Sequence, residues 1–148
     1  MRSTVKWQPK QYQVDLKQLM RTCEMNYLFL SRIINDKRVG AEVEITVADH
    51  LCYRLRVIFS SRFTYELLFE QINHTLPDWL VPSMKIRVYS DARMAEVCAS
   101  QQISYLEPSY NYPNKRMHHR NEKEQVNLFL HEWLKLCIER GYNSEVSL

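Results

Sequence analysis

The strongest constraint on the fold is a stretch in which apolar and polar side chains alternate, between residues 42 and 59. Apolar residues occupy every second position over residues 43–47 and again over residues 51–59. Strict alternation is typical of a strand with one buried face, so we predict two antiparallel strands joined by a short turn. A register slip of one residue would turn every apolar side chain to solvent, so the pattern also predicts the register.

A three-residue turn brings both apolar sets to one face, with left-handed backbone at Asp49 or His50. The predicted cross-strand pairs are Val47 with Leu51, Glu44 with Arg54, and Glu42 with Arg56. The two acid–base pairs lie on the outer face and favour this register.

Further alternation predicts a third strand over residues 63–72 and a second hairpin over residues 84–99. In this hairpin the predicted inward residues are Met84, Ile86, Val88, Ala95, Val97 and Ala99. A four-residue turn, residues 90–93, sets Arg87 opposite Glu96. We expect a sixth short strand through Ile103 and Tyr105.

Two segments have helical periodicity, one at each end of the sequence. Residues 15–35 predict an amphipathic helix with Asp15 as N-cap, and residues 121–140 predict a second helix. Asn121 as N-cap, Glu124 three residues later and Gly141 past the end are the signals of this second helix. The predicted buried stripes are Leu16, Leu19, Met20, Cys23, Tyr27, Leu30 and Ile34, and Val126, Phe129, Leu130, Trp133, Leu134 and Cys137.

This order of elements predicts an α+β fold, an antiparallel sheet of five or six strands packed by an N-terminal and a C-terminal helix. The 148 residues, 45% of them hydrophobic, match one domain that spans residues 1–148 and needs no disulfide or structural metal. We expect residues 1–14 to form a loosely ordered arm.

The two glycines exclude several common nucleotide and catalytic motifs. Gly40 and Gly141 lie a hundred residues apart, whereas P-loops, dinucleotide fingerprints and nucleophile elbows need neighbouring glycines. The four cysteines are single and lack zinc-ligand spacing, so we expect reduced thiols, a cytoplasmic protein, and no metal or cofactor. No window approaches the roughly 18 apolar residues of a membrane span.

The outer face of the second hairpin is one candidate binding site. Arg87, Tyr89, Asp91 and Glu96 lie on or beside this face and suit the binding of a polar ligand. The alternative interpretation is structural: a cross-strand ion pair between Arg87 and Glu96, with Asp91 stabilising the turn.

The segment before the last helix is the second candidate site. Basic side chains beside a helix N-terminus can bind phosphate or carboxylate, and a histidine there can act as a general base. The residues concerned are Tyr112, Asn114, Lys115, Arg116, His118, His119 and Arg120. The alternative is a solvated basic loop that docks the helix.

Several segments resemble the YqiB-like family of small bacterial proteins. These are residues 23–27 (CEMNY), 84–97 (MKIRVYSDARMAEV), 112–115 (YPNK), 121–123 (NEK) and 129–134 (FLHEWL). The resemblance covers most of the chain and implies a bacterial cytoplasmic protein. The family is uncharacterised, so the resemblance implies no activity, cofactor or catalytic residue.

Two functions are compatible with these patterns. The first is a non-catalytic cytoplasmic interaction or regulatory module that binds a protein partner or a second copy of the chain. The second is an anion-binding domain or small enzyme that acts on a nucleotide or another phosphorylated metabolite. The net charge is +3 and residues 1–40 hold eight basic and three acidic residues, which favours an anionic partner. Nucleic-acid binding is not supported, because there is no basic stripe.

Overall fold

The structure is a computed structural model that describes residues 15–73, 77, 81–101 and 118–143. The elements are α1 (Leu16–Ile33), β1 (Glu42–Ala48), β2 (Leu51–Ser60), β3 (Thr64–Asn73), β4 (Ser83–Tyr89), β5 (Met94–Gln101), α2 (His118–Arg140) and β6 (Tyr142–Asn143). They form an antiparallel sheet in the order β5-β4-β3-β2-β1-β6, with both helices on one face, so the predicted α+β fold is confirmed.

Two expectations fall on other parts of the chain. The predicted strand through Ile103 and Tyr105 and the predicted arm, residues 1–14, lie outside the described residues. The sixth strand that the structure does describe is β6, which pairs with Ile45 and Thr46 at the opposite edge of the sheet from β5.

Helix α1 begins where its capping signal predicts. Asp15 has extended backbone, and its Oδ1 accepts a hydrogen bond from the Gln18 N–H at 3.2 Å, which satisfies one free donor of the first turn. The predicted stripe is too wide, because Leu16 is 65% exposed and Met20 is 51% exposed. Met20 lies about 80° around the helix from the fully buried Leu30, at the margin of the face that packs on the sheet.

The first hairpin has the predicted charge pairs and a different turn. Glu44 lies opposite Arg54 and Glu42 opposite Arg56, as the alternation predicts. The predicted pair of Val47 and Leu51 is wrong, since Leu51 lies opposite Ala48. A bulge at Val47 absorbs the extra residue, and His50 takes the left-handed conformation with φ 67°.

The second hairpin keeps its predicted register near the turn and loses it further on. Arg87 lies opposite Glu96 across a turn of residues 90–93. Beyond Val97 a bulge at Cys98 shifts the pairing, so Ala99 is exposed and its predicted inward position is wrong. The shift reverses the direction of the following side chains.

Helix α2 starts earlier than its capping signal predicts. The backbone is helical from His118, so Asn121 lies within the first turn and is not the N-cap, which requires non-helical backbone. Glu124 likewise closes no capping box, and its Oε1 is buried with no hydrogen-bond partner in the described part of the chain.

The end of α2 agrees with the prediction. The Gly141 N–H donates to the Cys137 carbonyl at 3.0 Å. A Cβ at position 141 would lie 2.6 Å from that carbonyl oxygen and overlap the Ile45 side chain, so only glycine fits between the helix end and β1.

Helix α2 crosses the inner face of the sheet from the edge strand β5 to β1. Asn127 contacts β5, the Trp133 ring lies 5.0 Å from Tyr53 of β2 and 5.3 Å from Phe69 of β3, and Gly141 meets β1. The four strand spacings from β5 to β1 span about 19 Å. The helical rise over the fourteen steps from Asn127 to Gly141 is about 21 Å, which matches this width.

Helix α1 runs beside α2 in the same direction. Asn26 contacts Asn127, and further along Phe29 stacks on His131 with ring centroids 5.3 Å apart. Together the two helices cover the apolar inner face of the sheet. Among the described residues, neither helix is long and apolar enough to cross a membrane.

Candidate functional site

The outer face of the sheet bears charges that alternate in sign from strand to strand. From β1 to β5 these residues are Glu42 and Glu44, Arg54 and Arg56, Glu66 and Glu70, Lys85 and Arg87, and Glu96. Each basic strand therefore lies between two acidic strands. Arg54 contacts Glu70 at 2.9 Å, so neighbouring strands neutralise one another across this face.

Arg87 of β4 forms its ion pair with β3, on the side of β4 away from β5. Its Nη2 lies 3.0 Å from Glu66 Oε2 of β3, so the ion pair predicted with Glu96 is formed with Glu66 instead. Hydrogen bonds with Tyr89 and Glu66 raise the pKa of Arg87 above its usual value, so the guanidinium stays charged. Asp91 accepts a hydrogen bond from the Ala92 N–H at 2.9 Å, as a turn residue does.

Glu96 joins the second hairpin to helix α2. Its Oε2 accepts a hydrogen bond from the Tyr89 hydroxyl at 2.9 Å, and its Oε1 lies 2.9 Å from Lys123 Nζ. Burial acts to raise the pKa of Glu96, but the bonds from Lys123 and Tyr89 outweigh burial and hold the pKa below its usual value. Glu96 is thus ionised near neutral pH. It links the second hairpin to helix α2 and does not act as a proton donor.

The remaining predicted site residues are only partly covered by the structure. The positions of Tyr112, Asn114, Lys115 and Arg116 lie outside the described residues. For His118, His119 and Arg120 the structure describes the backbone alone, which forms the first turn of α2.

The contact between Lys123 and Glu96 bears on whether the two candidate sites meet. Lys123 follows His118 by five residues, about 7.5 Å along the helix axis. The start of α2 therefore lies on the same side of the fold as the second hairpin, as a shared anion site requires. Glu96 is the hairpin residue that contacts Lys123, however, and a carboxylate at that point repels an anion.

Two buried asparagines, which the sequence pattern did not single out as site residues, lie where the helices meet β5. Asn26 of α1 and Asn127 of α2 are both fully buried. The Asn127 Oδ1 accepts the backbone N–H of Val97 at 2.9 Å, and its Nδ2 donates to the Lys123 carbonyl at 2.8 Å. The Asn26 Nδ2 in turn donates to the Asn127 carbonyl at 3.3 Å. A signal was present, since both asparagines interrupt apolar stripes at positions where a helix faces the core.

We call the connected set Tyr89, Glu96, Lys123, Asn127, Asn26 and His131 the polar junction. His131 Nδ1 lies 3.2 Å from Asn26 Oδ1, and the half-buried ring stacks on Phe29. Cys23 lies near Glu96 and Lys123, and burial raises the pKa of its thiol to about 11. The thiol stays protonated at neutral pH and is a poor nucleophile. These groups hold α1 and α2 against the edge of the sheet.

The solvent side of the helical layer is apolar in places. The exposed side chains are Leu16, Met20, Met25 and Leu28 of α1, between 40% and 65% exposed, and Leu128 of α2 at 42%. Isolated exposed apolar residues are common, but Met25 and Leu28 lie three residues apart on one face of α1 and so form an exposed apolar pair suited to a partner.

The described features define a class: an α+β domain in which two parallel helices cross an antiparallel sheet and are held to its edge by a polar junction. The chain belongs to the family described as a protein of unknown function, DUF1249, whose pattern matches residues 29–143.

Individual proteins that are similar to this chain are also of unknown function. The chain is 42% identical over 133 residues to the protein named Uncharacterized protein YqiB of Escherichia coli strain K12, covering 89% of this chain and 94% of the relative. Proteins of the same name in Escherichia coli O6:H1 strain CFT073 and in O157:H7 match with the same identity and coverage. The resemblance found in the sequence is confirmed, and the function of the family is unknown. No solved structure matches the chain.

Proposed function

We propose that this protein is a non-catalytic interaction module that binds a protein partner on the exposed face of α1. The observation that supports the proposal is the exposed apolar pair on this helix, where Met25 is 40% and Leu28 is 52% exposed. Burying such side chains against a partner is the main favourable term in protein association.

The charged side chains of the predicted hairpin site are bonded to one another, which favours a structural role for them over ligand binding or catalysis. Arg87 is bonded to Glu66, and Glu96 to Tyr89 and Lys123, so these groups hold one another. A ligand at this face would have to break those bonds first. We therefore expect substitutions here to lower stability, and substitutions on α1 to lower binding.

We place the module in the bacterial cytoplasm. The four cysteines are free thiols, and Cys98 is exposed. Reduced, unpaired cysteines are typical of a cytoplasmic protein.

Anion binding is the alternative function. The approach of Lys123 to Glu96 brings the start of α2 to the second hairpin, which favours it. A thermal-shift series with inorganic phosphate and with nucleotides tests it, since a ligand at 100 times its Kd should stabilise the fold by about 2.7 kcal/mol. A shift that Lys115→Ala abolishes would support this alternative over the interaction module.

Site-specific photo-cross-linking tests the interaction module. A photoreactive amino acid replaces Leu28, 52% exposed on α1, in protein produced in cells of the source bacterium. The matched control carries it at Val39, 64% exposed and between α1 and β1. We expect one partner protein to cross-link from position 28 and not from position 39.

The substitution Met25→Asp should abolish this cross-link without unfolding the protein, because Met25 is 40% exposed. A thermal melt of the same sample verifies the fold. If position 28 gives no cross-link, or Met25→Asp leaves the cross-link unchanged, the proposed function is wrong.

A further inference from the structure

The exposed face of α1 contains a short stripe with a defined order of side chains. Arg21, Met25, Leu28 and Arg32 are separated by four, three and four residues and are exposed. They lie within about 60° of arc around the helix and span about 16 Å along it. We call these four residues the α1 stripe; it is an apolar pair with a cation at each end.

Both arginines are available to a partner. Neither Arg21 nor Arg32 forms an ion pair with any residue that the structure describes. Lys17 and Glu24 flank the stripe, and the face as a whole keeps an excess of positive charge. Exposed cations around an apolar centre are complementary to a partner with acidic groups around its own apolar centre.

A second copy of the chain fits this surface poorly. An antiparallel copy of α1 that matched Met25 with Leu28 would set Arg21 against Arg32 of the copy. A parallel copy would set each arginine against itself. Both arrangements oppose like charges at the two ends of a small apolar contact, which is unfavourable.

Resting on the proposed function above, we propose that the α1 stripe binds an acidic amphipathic helix of a partner protein. Two apolar side chains of that helix pack on Met25 and Leu28, and carboxylates about eleven residues apart pair with Arg21 and Arg32. Such binding of one helix face by another is a recurring mode of peptide recognition. The partner segment is thus defined by its chemistry: acidic at both ends and apolar between them.

Two labelled peptides of about 20 residues test the proposal on the full chain. One has two central leucines bracketed by glutamates eleven residues apart, and the other has lysines in place of the glutamates. We expect fluorescence anisotropy at low salt to show at least tenfold tighter binding of the glutamate peptide, with the difference falling in 0.5 M NaCl because salt screens exposed charges. The double variant Arg21→Glu with Arg32→Glu should reverse the preference, while Arg21→Lys with Arg32→Lys should retain it.

Other results would overturn the proposal. Equal binding of the two peptides, or no binding of either, contradicts it, and a retained cross-link at position 28 would then show that the interaction module itself still stands. Binding to phosphatidylglycerol vesicles in place of the peptide would assign the stripe to a membrane surface. Sedimentation of a dimer that Leu28→Asp dissociates would assign it to a second copy.

Discussion

The side-chain oxygen of Asn127 accepts the hydrogen bond of the Val97 backbone N–H, 2.9 Å away across thirty residues of sequence. Val97 belongs to β5, an edge of the described sheet, and Asn127 belongs to the helix that covers that sheet. A buried donor at a strand edge is thus satisfied by a helix side chain, and the same amide fixes where α2 lies on the sheet.

Replacing Asn127 by alanine should therefore destabilise the fold. The change leaves the Val97 N–H and the Lys123 carbonyl without these partners, and we expect the free energy of unfolding to fall by about 2–3 kcal/mol in urea titration. Leu128→Ala, at the neighbouring position 42% exposed, is the control and should stay close to the wild type. Similar losses for both variants would mean that the asparagine has no special role.

Asn26 should be energetically coupled to Asn127. Its Nδ2 donates to the backbone carbonyl of Asn127, and the Asn127 side chain bonds β5, so the two asparagines are linked through the backbone of α2. In a double-mutant cycle with Asn26→Ala and Asn127→Ala, we expect a coupling energy of about 0.5–3 kcal/mol. Additive losses would show that the two amides act independently.

Gly141→Ala should cost about 1–3 kcal/mol through overpacking. The new Cβ would lie 2.6 Å from the Cys137 carbonyl oxygen and overlap Ile45. Gly40→Ala is the contrasting variant, because its Cβ meets nothing within 4 Å while its φ of 97° is unfavourable for alanine. Because the overlap is with the Ile45 Cγ2 methyl, we expect Gly141→Ala to cost less in an Ile45→Ala background than in the wild type, whereas the cost of Gly40→Ala should be the same in both backgrounds, as measured by thermal melts.

Glu96 should stabilise the fold at neutral pH and lose this effect in acid. Its pKa in the folded state lies below the usual 4.5, so its contribution is fully present above that pH and declines as the pH falls through the folded-state pKa. The difference in unfolding free energy between wild type and Glu96→Gln should therefore be largest at pH 7 and shrink below about pH 4.5. Glu24→Gln, at an exposed position of α1, is the control. A difference for Glu96→Gln that stays constant from pH 7 to pH 3 would contradict this assignment.

The cysteines should differ in reactivity by their burial. Cys98 is exposed, whereas burial raises the pKa of Cys23 to about 11 and that of Cys137 to about 12. In the folded protein at pH 8, iodoacetamide should label Cys98 at least about 100-fold faster than either buried thiol. In guanidinium the rates should converge. Mass spectrometry of timed samples measures both, and early labelling of Cys23 would show that α1 detaches from the sheet.

The sequence was sufficient to predict strands β1 to β5, both helices and most of the register. Alternation over residues 43–57 indicates which face is buried, and together with a short turn it sets Glu44 opposite Arg54. The capping signal of Asp15 and the terminal Gly141 are local features, so they too are readable without tertiary information.

The errors come from contacts between elements distant in sequence. The bulges at Val47 and Cys98 alter the pairing by one residue, which no alternation pattern reveals. Arg87 has an acid on each side and pairs with Glu66, while Lys123 and Tyr89 bond to Glu96, and the alternation pattern does not show which acid is chosen. The chemistry of residues 112–116 stays a prediction.

The path of α2 has a consequence for how the protein is made. The ribosome synthesises β1 to β5 before α2, so the emerging sheet exposes Tyr53, Leu55 and Phe69 until the helix that covers them arrives. When α2 forms, Asn127 contacts β5 and Gly141 contacts β1, so the helix covers the inner face of the sheet from β5 to β1. Complete folding is thereby delayed until translation has passed Gly141, and a chain stalled before that point presents a sheet that only α1 covers, with apolar side chains exposed to chaperones and proteases.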